Sequence, residues 1–113
     1  MDGSGAEERA LRYLQDQGLR LLARNWRCKL GELDLVMQDG ETIAVIEVRS
    51  RARTDYGAAA ETIDARKQAR LVRATRLWLA RRPELAERPL RFDVVTLDAG
   101  ALEWRREAFD VQE

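Results

Sequence analysis

Apolar residues recur along this chain with two different periods. Ala10, Leu11 and Leu14 follow helical spacing until Gly18 stops the run, which predicts a helix over about 5–17. Ser4, with Glu7 three residues on, reads as the capping box that would open it. Over 19–28, leucines mix with Arg20, Arg24 and Arg27, and Trp26 lies near the end, the pattern of an edge strand. Apolar runs at 33–37 and 43–48 flank Gln38-Asp39-Gly40-Glu41 and predict a β-hairpin turning at Asp39-Gly40. Residues 52–57 read as a loop. The segment 58–80 is helical in composition, a short helix followed by a long one from Asp64, and Pro83 and Pro89 close the region. A strand at 92–97, a turn at Asp98-Ala99-Gly100 and a short strand at 102–106 complete the chain.

The order is therefore α-β-β-β-α-β-β. The run 43–48 is nearly all apolar, so it belongs at the centre of a sheet with both faces covered. That requires an α/β fold, a mixed sheet flanked by helices on both faces. The whole chain, 113 residues, suits one domain and not two, with its core over about 5–110 and a single active or binding surface.

Composition narrows the chemistry. Apolar types make up 45% of the chain, enough for a core, and twenty basic residues balance twenty acidic ones. There is no histidine, which excludes Ser-His-Asp and Cys-His catalysis, His-ligated zinc and imidazole switching. The single cysteine, Cys28, reads as a small buried hydrophobe. No apolar signal segment opens the chain, and no run approaches the roughly 18 apolar residues of a membrane span, so a cytoplasmic location is expected. Any catalysis must rest on carboxylates, Lys/Arg, hydroxyls or a metal held by oxygen.

Two carboxylates stand out. Glu47 interrupts an apolar strand, and Asp34 does the same on the strand before it; a buried carboxylate is costly without a partner. With Asp39-Gly40 as a two-residue loop, Gln38 faces Glu41, Asp34 faces Val45 and Glu32 faces Glu47. Asp34 and Glu47 are then diagonal neighbours roughly 7–8 Å apart at Cα, on one face with Arg49. A three-residue loop with a bulge would instead send the two acids to opposite faces. Converging carboxylates suit Mg²⁺ or Mn²⁺. The alternative is a structural network with Arg24, Arg27 and Arg49.

Charge is also segregated in the helical region. Between Ala65 and Pro83 lie seven basic residues and no acidic one. Arg66, Arg70, Arg73 and Arg81 fall within about 80° of one another at about 100° per residue, opposite Leu71, Val72, Thr75, Trp78 and Leu79. Lys67 sits between the two faces, where it could reach a phosphate or a carboxylate. Such a stripe suits sequence-independent contact with a phosphate backbone, strengthened by Arg51 and Arg53 beside the hairpin; the plainer reading is a solvated arginine-rich face.

Taken in order, Glu7, Ala10, Tyr13-Leu14, Gly18, Arg24-Asn25-Trp26-Arg27, Gly31-Glu32-Leu33-Asp34-Leu35, Glu47-Val48-Arg49-Ser50-Arg51, Gly57, Lys67 and Arg91-Phe92-Asp93-Val94-Val95 resemble the YraN family of small bacterial proteins, over about 5–110. That family is similar to Holliday-junction resolvases and to restriction-endonuclease-like nucleases, whose signature is D…(D/E)-x-K on a hairpin. Here it reads Asp34…Glu47-Val48-Arg49, with arginine where lysine is usual. The resemblance implies a restriction-endonuclease-like core and an Mg²⁺- or Mn²⁺-dependent endonuclease acting on branched or damaged DNA through metal-activated water.

Under that resemblance, Asp34 and Glu47 hold the metal with the Val48 carbonyl, and Glu7 is the acidic residue that the first helix contributes, the capping box being its other reading. Arg49 stabilises charge but cannot serve as a base, because a guanidinium stays protonated. The resolvase likeness suggests a homodimer. The alternative that Arg49 raises is a catalytically weak or inactive nucleic-acid-binding module with the same fold. A protein-interaction domain using Trp26, Trp78 or Trp104 is a third.

Overall fold

The computed structural model describes residues 3–51, 63–98 and 100–110. Helix α1 runs Gly3–Asp16 and ends where Gly18, at φ 99°, lets Leu19 N–H reach the Leu14 carbonyl and Gly18 N–H reach that of Gln15. Ser4 falls within the range of this helix, and its side chain, on which the capping-box reading rests, lies outside the described residues. Strands β1 (Arg20–Cys28), β2 (Gly31–Asp39) and β3 (Thr42–Arg51) follow. Helix α2 (Ala65–Ala80) starts where Asp64 accepts the Lys67 N–H at 2.8 Å. A 3₁₀ turn at Pro83–Leu85 leads to β4 (Leu90–Asp98) and β5 (Ala101–Phe109). The short helix expected before Asp64, the loop 52–57 and Arg53 lie outside the described residues.

The five strands form one mixed sheet in the order β1-β2-β3-β4-β5, antiparallel except for β3 beside β4. The parallel step follows from α2, which carries the chain from one end of the sheet back to the other. As the apolar run required, β3 is central and buried on both sides. Ile43 and Val45 join Leu71, Ala74 and Trp78 of α2, while Ala44 and Ile46 join Ala10, Leu11 and Leu14 of α1. Among the described residues, no helix is long and apolar enough to cross a membrane.

The hairpin departs from its expected register. Asp39 pairs with Thr42, so the turn residues are Gly40 and Glu41 instead of Asp39 and Gly40. Gly40 has φ 62° and takes the first central position, where a type II′ hairpin turn requires glycine. Moving the turn by one residue shifts every pairing by two and keeps the parity of each strand. Asp34 and Glu47 therefore stay on matching positions, but at the same level of the hairpin instead of diagonally.

A buried carboxylate elsewhere braces this architecture. Asp93, 1% exposed, accepts from Arg91 Nε at 3.0 and 3.1 Å, Trp104 Nε1 at 3.0 Å and Glu107 N–H at 3.1 Å. Arg91 also holds Asp39 at 2.9 Å, tying the hairpin turn to β4. Asp93 is a structural partner of an arginine.

Candidate functional site

The pairing of β2 with β3 runs from Asp39↔Thr42 to Leu35↔Ile46 and then ends. Beyond it, β2 keeps only β1 (Trp26↔Leu33, Arg27↔Glu32) and β3 keeps β4 (Glu47↔Val94, Val48↔Val95). The hairpin thus forks, and Asp34 and Glu47 are the first residues on its two prongs. The Val48 N–H points to the Asp34 carboxylate at 3.0 Å, so the side chain bridges the gap that the backbone leaves.

Charge at the fork is predominantly negative. Burial and then the Glu47 charge push the Asp34 carboxyl up from 3.8 to about 7; the Val48 hydrogen bond opposes this, and Glu7 and Glu32 add smaller upward contributions. Glu47, with a side chain only 9% exposed, is paired to Lys67 Nζ at 3.0 Å. Glu7 reaches the site across the sheet from α1, with Arg24 Nε 4.0 Å away. Arg49 stands two residues beyond Glu47 on β3; its Nε is buried and has no hydrogen-bond partner among the described residues.

The structural network expected as the alternative is differently wired. Arg24 goes to Glu8 at 3.0 Å and Arg27 to Glu32 at 3.4 Å, so neither arginine neutralises Asp34 or Glu47. Glu32, expected opposite Glu47, instead lies on the β1 side of the fork. Helical angle alone puts Lys67 between two faces; its approach to Glu47 depends on how closely α2 lies on β2. A Cβ on Gly31 would meet the Arg70 carbonyl at 3.4 Å and the Ala74 Cβ at 3.8 Å, ordinary van der Waals contact, so α2 lies directly against the start of β2.

Among the described residues, no three His, Cys, Asp or Glu side chains are gathered as a ready metal cage. What the fork offers is two carboxylates and the backbone of Val48. On α2, Arg66, Arg70, Arg73 and Arg81 are all exposed, as the stripe requires, and Arg81 lies over the Trp26 ring at 5.7 Å. Arg66, Arg70 and Arg73 have no ion-pair partner among the described residues, whereas Arg12, Arg24, Arg27, Arg82 and Arg91 are each paired to a carboxylate. Arg51 ends β3. Trp78 is core, and Trp104 packs under Arg106 and donates to Asp93, so neither is a free contact residue.

Comparison with known proteins gives a family. Residues 6–97 match the model described as "Uncharacterised protein family UPF0102". A UPF0102 protein of Pseudomonas putida strain GB-1 is 51% identical, covering 96% of this chain and 92% of its own length. One from Pseudomonas entomophila strain L48 is 52% identical with the same coverage. A relative from Stutzerimonas stutzeri strain A1501 is 49% identical, covering 96% and 93%.

Proposed function

The chain belongs to the UPF0102 family, and from the geometry of its fork we propose a divalent-cation-dependent endonuclease that hydrolyses phosphodiester bonds in DNA. The observation that carries this reading is the meeting of Asp34 and Glu47 where β2 and β3 part, with burial first and the Glu47 charge second pushing the Asp34 carboxyl up to about 7. Such a pair wants a cation. Mg²⁺ binds through one or two carboxylates and keeps several of its waters, so two acids with the Val48 carbonyl suit it and a three-acid cage is not needed. Mn²⁺ takes similar oxygen ligands. Such an ion, when bound, supplies Lewis acidity and a more acidic water.

The chain's own residues supply the remaining tasks. Arg49 is always protonated, and its guanidinium matches phosphate oxygens. A buried Nε without a partner is costly, and an incoming phosphate would satisfy it. Glu7 adds negative charge at the fork from α1. Arg66, Arg70 and Arg73 line a face on which a phosphate backbone can lie, and in the sequence Arg51 and Arg53 add two basic residues at and just after the end of β3. The same reading extends to a restriction-endonuclease-like core, to branched or damaged DNA as substrate, to a homodimer and to action in the cytoplasm.

The test is the full purified chain with Mg²⁺ or Mn²⁺ on branched, flapped and single-stranded DNA. Cation-dependent nicking that disappears in Asp34→Asn and Glu47→Gln is expected. No nicking together with no calorimetric Mn²⁺ binding refutes the proposal. A second reading, a nucleic-acid-binding module without turnover, is favoured by Arg49 in the place of lysine and by the lack of any histidine that could act as a base. Mn²⁺ and DNA binding with no nicking of any substrate would select it.

A further inference from the structure

Lys67 has a relation to Glu47 that the proposed reaction does not use. Its backbone is fixed, because its N–H is capped by Asp64 at 2.8 Å in the first turn of α2. Its head is not fixed in the same way. The ammonium ends a four-carbon stem, its side chain is 35% exposed, and it lies 3.0 Å from a carboxylate that is only 9% exposed. A buried carboxylate needs a positive neighbour, and Lys67 supplies it. Neighbouring Arg66 and Arg70 are exposed on the face to which a nucleic acid would bind. Lys67 therefore stands between the acidic fork and the basic stripe, within side-chain reach of both.

A divalent cation on Asp34 and Glu47 changes that balance. An ammonium already on Glu47 and a cation arriving at the same oxygens repel each other, and Glu47 no longer needs Lys67 once it has the ion. The exchange needs a head group that can leave one partner and reach another. Lysine suits it, having a compact charge, three donors and a flexible stem.

Resting on the nuclease reading, we propose that Lys67 is an exchangeable counter-ion, which neutralises Glu47 in the cation-free protein and turns to a phosphate of the bound nucleic acid when a divalent cation occupies the fork. Cation binding and nucleic-acid binding are then coupled through one side chain. The coupling is reciprocal, as linkage requires.

The experiment uses the full chain and its Lys67→Met and Lys67→Arg variants. Mn²⁺ affinity is measured by calorimetry, and the affinity for a fluorescent branched DNA is measured by anisotropy in EDTA and in Ca²⁺. Lys67→Met should bind Mn²⁺ about fivefold more tightly than wild type, the low end of ordinary coupling between ligands. It should bind DNA as wild type does in EDTA and about fivefold more weakly in Ca²⁺. Lys67→Arg should stay near wild type in Mn²⁺ affinity. If Lys67→Met is unfolded by circular dichroism, Lys67→Gln, which can still donate to Glu47, replaces it with the same expected directions. Equal or weaker Mn²⁺ affinity in the folded variant overturns the proposal, as does an equal loss of DNA affinity in EDTA and Ca²⁺, or no loss in either. Those outcomes leave wild-type Mn²⁺ binding intact and spare the nuclease reading. Absence of Mn²⁺ binding in wild type and variants alike overturns both.

Discussion

Replacing Asp34 by asparagine removes a charge that the folded chain holds at a cost, and the sign of that cost can be worked out. The folded carboxyl is pushed up to about 7 by burial and by Glu47, against an ordinary 3.8. A raised folded pKa means that the group's contribution is fully present below about pH 4 and is lost as the pH climbs through about 7. A rise of about three units at about 1.4 kcal/mol each sets an upper bound of about 4 kcal/mol. The side chain keeps some contact with water, and screening brings the working figure to about 2 kcal/mol. The amide of Asp34→Asn would keep an oxygen for the Val48 N–H while carrying no charge.

Urea unfolding at pH 5, 7 and 9 in EDTA, at constant ionic strength, reads the difference between Asp34→Asn and wild type, so that other titrating groups cancel. About two of those three units lie above pH 5, so the variant should gain on wild type by about 1 kcal/mol between pH 5 and pH 9, equivalent to roughly 5 °C in melting temperature for a domain of this size. Mn²⁺ at pH 9 should stabilise wild type more than the variant. A stability difference that is the same at pH 5 and pH 9, or a variant that loses ground at high pH, would refute the account of Asp34 as a carboxyl raised by burial and by its neighbour Glu47.

Two further substitutions test other parts of the structure. Asp93→Ala leaves Arg91 and the Trp104 indole N–H without their buried acceptor, and should cost about 3–5 kcal/mol in urea unfolding, with a shifted Trp104 emission. Replacing Arg66, Arg70 and Arg73 together by glutamine should lower the slope of log K against log salt for DNA binding by about 2–3. An unchanged slope in anisotropy titrations would remove the stripe from the interface.

Much of the fold was legible because its signals are local. The apolar run 43–48 could only be a strand covered on both sides, and β3 is that strand. Strand parity follows the expectation because the observed turn, like the expected one, is two residues long and a shift of one position leaves each residue on its face; a three-residue bulged loop would have reversed it. The register was not. Asp39-Gly40 fits a two-residue turn, whereas Gly40 serves as the first residue of the turn, and that choice depends on backbone angles that composition does not specify. Glu7 was ambiguous for a related reason. Its spacing from Ser4 matches a cap, while its place on α1 beside Arg24 and near Asp34 becomes visible only once the helix is packed on the sheet.

The fork was the least legible feature because it arises from competition among neighbours. Each prong keeps a partner on its outer side, so the sheet can open at Asp34 and Glu47 without leaving either strand alone. No residue in the hairpin announces this, since the pairs that win lie in β1 and β4. The opening matters for chemistry, because a backbone ladder that closes over Asp34 would satisfy the Val48 N–H by itself and leave the carboxylate no task. With the ladder ended, the acid takes that N–H at 3.0 Å and remains beside Glu47. Lys67 and Glu7 approach from helices on opposite faces of the sheet. A chain of zero net charge thereby holds an acidic fork next to a basic helix, and balance over the whole sequence conceals a separation that a bridging cation and a phosphate backbone could each use.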